Sequence, residues 1–461
     1  MDLLLTHGYF LHEDETERRV MKPYPPLGIL YIAAYLKQQG HRVDVYDSTF
    51  ELKESFRQFI GTHRPSVVGI SSNLMTKLTV LEQIGHCKSY GCTVVVGGPD
   101  VPEYVTDYLD YGADVAVIGE GEATMAELVP ALLAHSPLEN IAGIAFRGSD
   151  GLIVRTPARA QIQDLDTLPF PDREAINIRQ YVETWKLYHG MGSLSLICSR
   201  GCPFTCAWCS RSVYGETHRR RSVKNVVDEI ELLLSSYSPD MLWFADDVFT
   251  IHHRWFHDFY AEMKRRRLKI PFECISRADR LNPDILEKMA DLGAFRIWFG
   301  SESGSQRILD AMQRRVTVGE IAAMTKQAQS VGIQIGLFVM LGYPGESMAD
   351  IEQTVEHLKQ TNADHFLTTV AYPIKGTEFY RAVAQKITTP AAWTSGTDRN
   401  VRFSGRYSDR FYWFANRYLV NEVLQHHLRR NGSPQWLKSA ACYLKGRISR
   451  IGMELTKGEV T

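Results

Sequence analysis

Cys202, Cys206 and Cys209 stand in one short stretch, Cys-Pro-Phe-Thr-Cys-Ala-Trp-Cys, and Cys198 lies four residues before it. Four of the chain's eight cysteines therefore fall within twelve of its 461 residues. Thiols set this closely can close a disulfide, hold zinc or hold an iron–sulfur cluster. The opening MDLLLTHGYF has an acidic second residue and no basic segment, so it is a poor signal peptide. No apolar run approaches the roughly 18 residues needed to cross a bilayer. The expected setting is cytoplasmic, with no membrane span, where clustered cysteines serve metal or redox chemistry more often than disulfides. Structural zinc asks for four ligands, commonly two pairs separated by a spacer, and no second Cys-x2-Cys or paired His follows this loop. Thiolate-rich sites also suit iron–sulfur clusters. Cys198 falls within a strand-like run and is expected to pack there; Cys87, Cys92, Cys274 and Cys442 are scattered and expected as core or surface thiols.

The loop must be held by the elements around it, and it follows the first strand of a regular βα series. Apolar, β-rich runs at 193–199, 240–247, 272–278, 294–302, 333–342 and 365–373 alternate with amphipathic stretches such as SVKNVVDEIELLLSSY and VGEIAAMTKQAQSVG. Six βα units are two short of a closed (β/α)8 barrel. The prediction is an open, partial (β/α)6 TIM-type barrel with its chemistry at the carboxyl ends of the strands. Those ends carry Ala245-Asp246-Asp247, Ser276-Arg277, Gly300-Ser301-Glu302-Ser303 and Gly342-Tyr343-Pro344-Gly345-Glu346-Ser347. Taken singly, Glu302 reads as a solvated acid and Arg277 as a surface ion pair; at barrel strand ends both become candidate ligand contacts. The run His218-Arg219-Arg220-Arg221 reads as a solvated face.

A separate α/β series comes first. Strand-like runs at 41–47, 66–72, 92–98 and 114–122, with helical stretches such as LGILYIAAYLKQQG between them, imply a parallel sheet covered on both faces. Its strands end in Ser71-Ser72-Asn73, Gly97-Gly98-Pro99-Asp100 and Gly119-Glu120-Gly121. Ligands of open α/β sheets bind at such carboxyl ends, and glycine lets them approach the backbone. A hairpin around 148–151 and the linker DLDTLPFPDRE lead to the second series. The predicted division is 1–145, 146–190, 191–380, and a helical, aromatic and basic segment at 381–461 with no strand signal. A net charge of −1 gives no sign of nucleic-acid binding. With 44% hydrophobic residues the chain can fill the cores of two to three domains.

The Cys-x3-Cys-x2-Cys loop, with Trp208 before Cys209 and after strand one of a six-unit barrel, resembles the signature of the radical S-adenosylmethionine enzymes. The resemblance implies a 4Fe-4S cluster on Cys202, Cys206 and Cys209, with one iron open to S-adenosylmethionine and Cys198 a bystander. It further implies cofactor contacts from Trp208, from Ala245, Asp246 and Asp247 near the methionine amino group, from Ser276 and Arg277, and from Glu302 and Ser303 near the ribose or methionine. The stretches YPPLGILYIAAYL, VVGISSNLMT, VVVGGPDVPEY and GADVAVIGEGEAT resemble the N-terminal domain of that superfamily's cobalamin-binding subgroup, and the likeness covers most of residues 1–380. It implies bound cobalamin lined by Ser71, Ser72, Gly97, Gly98, Glu120 and Gly121. No Asp-x-His-x-x-Gly occurs, so no histidine is expected below the cobalt; His7 and His12 are expected on the surface, with residues 7–26 over the lower face.

The implied activity is methylation of an unactivated carbon in a small-molecule or natural-product substrate. It would use a 5'-deoxyadenosyl radical, methylcobalamin and an electron donor such as flavodoxin or ferredoxin. Oxidative cyclisation, dehydrogenation or rearrangement within the same subgroup is the alternative, and RFSGRYSDRFYWFANRYLVNEV has a likeness to the anaerobic cyclase of bacteriochlorophyll synthesis. A cobalamin-dependent regulator would join the first series to a DNA-binding or partner-binding module, which the barrel-like series and near-neutral charge oppose. A tRNA methylthiotransferase would need a second cluster domain and an RNA-binding barrel; the helical tail offers neither.

Overall fold

Val-, Ile- and Leu-rich runs form the central strands of the structure, a computed structural model that describes residues 1–389, 392–430 and 435–459. The chain forms two compact units: Met1–Pro203 with Ser210–Ala245 and Ala392–Thr397, and Phe204–Cys209 with Asp246–Ala391 and Asp398–Thr461. The division by sequence given above remains a proposal about folding units.

In the first unit, strands β1 (Leu3–His7), β2 (Val43–Tyr46), β3 (Val67–Ser71), β4 (Thr93–Gly97) and β5 (Val115–Val117) run parallel. The hairpin β6 (Ile144–Arg147) and β7 (Ile153–Arg155) adds antiparallel at the edge, giving the order β2-β1-β3-β4-β5-β6-β7. Helices α1 (Glu15–Val20), α2 (Leu27–Gln38), α3 (Lys53–His63), α4 (Lys77–Ser89), α5 (Val105–Tyr111) and α6 (Glu122–Leu133) connect the strands. Apolar clusters lie on both faces, one built with Val68, Val94 and Val96, the other with Val67, Val95 and Val115. That alternation is why these strands read as continuous apolar runs. β1 connects toward one side of the sheet and β3 toward the other, which opens a crevice at their carboxyl ends.

The second βα series begins with α7 (Ile178–His189) and β8 (Ser193–Leu196). Two short antiparallel strands follow, β9 (Ser199–Arg200) and β10 (Arg219–Arg220), then α8 (Val223–Tyr237) and β11 (Met241–Phe244), which pairs parallel with β8. In the second unit α9 (His253–Arg265), β12 (Phe272–Ser276), α10 (Pro283–Leu292), β13 (Ala294–Glu302), α11 (Gln306–Ala311), α12 (Val318–Ser330), β14 (Gln334–Leu341), α13 (Met348–Thr361) and β15 (His365–Val370) continue it. Strands β12 to β15 are parallel neighbours in sequence order. These are the six strands of a (β/α)6 partial TIM-type barrel. Local chemistry sets the helix starts: Thr317 with Glu320 and Ser347 with Asp350 form capping boxes, and Asn282 caps α10 ahead of Pro283. The chain closes with α14 (Glu378–Val383), α15 (Asp409–Arg430) and α16 (Trp436–Thr456).

Four sequence expectations are corrected. The terminal segment is not free of strands, since Ile387–Thr389 pairs antiparallel with Arg402–Phe403, pieces too short to leave a periodic signal. Cys198 lies past the end of β8 rather than within it, fully buried, with its carbonyl accepting from Arg221 N–H. His7 is buried, not on the surface. The basic run is not a solvated face either, because Arg219 and Arg221 are buried in ion pairs.

Those pairs form two buried charge groups in the first unit. Arg200 donates to Glu120 at 2.7 Å and Glu122 at 2.5 Å, and Arg219 donates to Glu120 at 2.7 Å. Glu229 accepts from Arg173 at 2.6 Å and from Arg221. Burial alone would raise the Glu229 carboxyl, but Arg173 and Arg221 hold it below the usual carboxylate range.

Candidate functional site

The cysteine loop is tied to the second unit by its backbone. Ala207 N–H donates to Met312 carbonyl at 3.1 Å, and Ala207 carbonyl accepts from Phe379 N–H at 2.8 Å. Within it Cys206 is buried, Cys202 half-buried and Cys209 exposed. Among the described residues no three His, Cys, Asp or Glu side chains are gathered closely enough to hold an ion.

Two cations address Cys206. Arg277, at the end of β12, places Nη1 3.9 Å from Cys206 Sγ, and Arg314 places Nη1 at 3.7 Å. Arg277 is fully buried, with its guanidinium 3.8 Å from the centre of the Phe204 ring and its remaining donors on Asp279 and on the carbonyls of Arg314 and Arg315. Arg314 also donates to Gly300 carbonyl at 2.9 Å and lies 6.0 Å from the centre of the Trp208 ring. Two charged donors aimed at one buried sulfur complement a sulfur that carries negative charge, as a metal-bound thiolate does. The surroundings of Cys206 therefore fit a metal-bound thiolate. Arg314 and Phe204 escaped the sequence reading, since an Arg-Arg pair after a helix has no local mark that separates it from a surface pair.

Glu302 ends β13 at a register shift between Gly300 and Glu302, with φ +59°, a conformation uncommon for a residue with a side chain. Its carboxylate is buried. Burial pushes it up to about 7, against the opposing charges of Arg314 and Arg277. Gly300 makes the room: a Cβ there would lie 2.5 Å from Glu302 Oε1 and 2.6 Å from Arg314 Nη2. Cys206, Arg277, Arg314 and Glu302 thus form one linked group. Ser276 is buried beside them in sequence, with its hydroxyl shared with Thr250. Asp246 is buried, and Asp247 reaches solvent from a recess where desolvation and then the Asp246 charge raise its carboxyl. Ala245 N–H closes onto Leu196 carbonyl at 2.9 Å in the first unit. Ser303 instead turns to α13, with its hydroxyl 3.2 Å from Thr354 Oγ1.

In the first unit the β1/β3 crevice has a volume of about 550 Å³ and is lined by His7, Gly8, Ser71, Asn73 and Thr76, among others. That size falls in the roughly 300–1,000 Å³ range of small-molecule and cofactor pockets. Gly98 follows with φ +103°, and a Cβ there would lie 2.5 Å from Ser72 carbonyl, so glycine keeps this strand end close to its neighbour. His7 has both ring nitrogens engaged, Nδ1 accepting from Tyr9 N–H at 3.2 Å and Nε2 beside Asp47 Oδ1 at 3.0 Å. Ser72 bonds Tyr108 in the core at 2.7 Å, and Glu120 is held by Arg200 and Arg219. Gly121 leaves space for Ile32, whose Cδ1 would lie 2.6 Å from an added Cβ. The crevice at the switch point thus fits part of a large cofactor through Ser71, with Gly97 and Gly98 at the adjacent strand end.

Glu346, in the loop between β14 and α13, is not among the contacts expected from sequence. It is buried, accepts from Gly342 N–H at 2.6 Å, and leaves Oε1 without a hydrogen bond. Burial pushes it up to about 8. A raised carboxyl favours the protonated folded state, so its destabilising effect is absent below the ordinary value of 4.5 and grows as pH rises toward 8, at about 1.4 kcal/mol per pH unit. Glu346→Gln keeps the acceptor for Gly342. Its urea midpoint is expected to match wild type near pH 4.5 and to exceed it increasingly up to pH 8; parallel curves would refute the assignment.

Residues 18–129 match the B12 binding domain and residues 196–358 match the Radical SAM superfamily. The chain is 28% identical over 437 residues to an uncharacterized methyltransferase of Pyrococcus horikoshii, covering 90% of this chain and 93% of that protein. It is 28% identical over 380 residues to the anaerobic magnesium-protoporphyrin IX monomethyl ester cyclase of Rubrivivax gelatinosus, covering 79% and 67%. Among solved structures, the cobalamin-dependent S-adenosylmethionine radical enzyme OxsB, with aqua-cobalamin and S-adenosylmethionine bound, has a TM-score of 0.74 at 16% identity over 98% of this chain and 72% of that one, a likeness of fold.

Proposed function

We propose, from the premise that this chain is a cobalamin-binding radical S-adenosylmethionine enzyme of the methylase and cyclase group, that it methylates an unactivated carbon of a small-molecule substrate. Its cofactors are a 4Fe-4S cluster, S-adenosylmethionine and cobalamin. The observation that carries the reading is the buried Cys206 sulfur faced by Arg277, at the end of barrel strand β12, and by Arg314, just after α11, in a chain that also carries a switch-point crevice. When bound, the cluster and S-adenosylmethionine supply a 5'-deoxyadenosyl radical by one-electron cleavage, and cobalamin supplies a transferable methyl group.

The chain's own residues position these groups. Cys202, Cys206 and Cys209 hold the cluster, and Arg277 and Arg314 offset negative charge at the Cys206 sulfur. Asp246, Asp247 and Ser276 are available to the methionine end of S-adenosylmethionine. Glu302, protonated or ionised near neutral pH, can donate to or accept from a ribose hydroxyl. Ser71, Gly97 and Gly98 line the cobalamin side. An electron donor of the flavodoxin or ferredoxin class supplies the reducing electron.

Oxidative ring closure is the second reading, favoured by the 28% identity to a cyclase over 79% of the chain. Turnover with methyl-deuterated S-adenosylmethionine separates the two. Methylation is expected to give S-adenosylhomocysteine, 5'-deoxyadenosine and a product carrying the labelled methyl group. An unlabelled product lighter by two hydrogens, with no S-adenosylhomocysteine, would establish the oxidative reading.

A further inference from the structure

The final helix pair of the second unit is built with its small residues inside and its large apolar residues outside. α15 and α16 pack antiparallel, with Gly446 against Glu422 and Gly452 against Phe414. A Cβ on Gly452 would lie 2.5 Å from the Phe414 ring, so the close approach depends on glycine. The rest of that buried face is Cys442, Ser449, Met453 and Thr456. On the opposite face Leu437, Leu444, Ile448, Ile451 and Leu455 are between 59% and 79% exposed. Their steps of seven, four, three and four keep them on one narrow stripe along the helix. Trp436 opens the helix at 70% exposure. Apolar stripes of this size, rimmed by polar groups, mark interaction surfaces.

The rim decides what covers it. α16 carries Lys438, Lys445, Arg447 and Arg450 against a single acid, Glu454, in a chain of net charge −1. Lys438 and Lys445 flank the stripe on one side and Arg447 on the other, and among the described residues none of the three has an ion-pair partner; Arg450 pairs with Glu352. The heptad spacing would suit a second copy of the helix, but self-pairing would bring Lys438, Lys445 and Arg447 against their own kind. An anionic surface satisfies both the stripe and its rim. We propose that α16 docks this protein on anionic lipid, lying in the plane of the interface. Its leucines and isoleucines enter the acyl boundary, and the lysines and arginine reach the phosphates. This is docking and not spanning, since among the described residues no helix is long and apolar enough to cross a membrane.

The test is sedimentation of the full-length protein with phosphatidylcholine vesicles and with vesicles that also contain phosphatidylglycerol. Wild type is expected to pellet with the anionic vesicles and to be released by salt. Ile448→Glu with Ile451→Glu, at exposed positions whose change leaves circular dichroism unaltered, is expected to stay in the supernatant. Replacing Lys438, Lys445 and Arg447 together with Gln is expected to weaken binding roughly a hundredfold and to flatten its salt dependence. Wild type that never pellets, or a double variant that pellets equally, would overturn the proposal. So would light scattering that shows a wild-type dimer dissolved by Ile448→Glu, which would assign the stripe to a second copy.

Discussion

Cys206→Ala is expected to leave the purified, anaerobically reconstituted protein with iron and sulfide at background, whereas Cys198→Ala retains its cluster. Cys206 is the sulfur that the structure surrounds with charge: two guanidinium groups lie within 3.9 Å of it, at 3.9 and 3.7 Å. Cys198 is fully buried beyond β8, and the backbone around it is occupied by a bond from Arg221. Cys202→Ala and Cys209→Ala should follow Cys206→Ala if, as proposed, these three thiolates are the whole protein ligand set. Iron and labile sulfide content with electron paramagnetic resonance of the reduced protein reads the result. Equal loss in Cys198→Ala would add a fourth ligand; zinc without sulfide in wild type would remove the cluster.

The second large effect concerns stability. Glu229 sits fully buried between Arg173 and Arg221, and Glu229→Gln would leave two buried cations with no balancing charge between them. Breaking a buried pair from one side costs about 3–5 kcal/mol, because the desolvated partner is left uncompensated. A large drop in the urea midpoint at pH 7 is therefore expected. The depressed carboxyl also sets the pH dependence: its stabilising contribution is present above the ordinary value of 4.5 and is lost as pH falls through the lower folded value. The comparison is Glu262→Gln on α9, whose carboxylate pairs with Arg265 and Arg266 within reach of solvent, so screening keeps that change small. Equal midpoints for Glu229→Gln and Glu262→Gln would show that burial does not magnify the Glu229 pairs.

What the sequence made legible was periodic or local. The sequence predicts a strand over 294–302, and β13 spans it, because five of its first six residues are apolar and Gly293 bounds the run. For β11 the predicted span 240–247 is too long, since it takes in Asp240 and Ala245-Asp246-Asp247 outside the apolar Met241–Phe244 that forms the ladder. The cysteine spacing located the loop, but not the two arginines that face Cys206, which arrive from 71 and 108 residues away. The basic run misled for the same reason. Arg219 and Arg221 are buried because Glu120 and Glu229 wait for them, and only Glu229 is near in sequence. The polar stretch around His7 predicts a surface residue, whereas Ser48 and Asp47, from the next strand end, enclose it.

The backbone at Glu302 carries a lesson for anyone engineering a hardier version of this enzyme. A left-handed residue with a buried carboxyl is the kind of position that stability-guided redesign selects first, and glycine there would relax the chain and remove the burial penalty together. The gain in heat tolerance would come from emptying the space that Gly300 keeps clear beside Arg314 and the cysteine loop. A thermostability screen run without an activity readout would miss any loss of the cofactor contact proposed for Glu302.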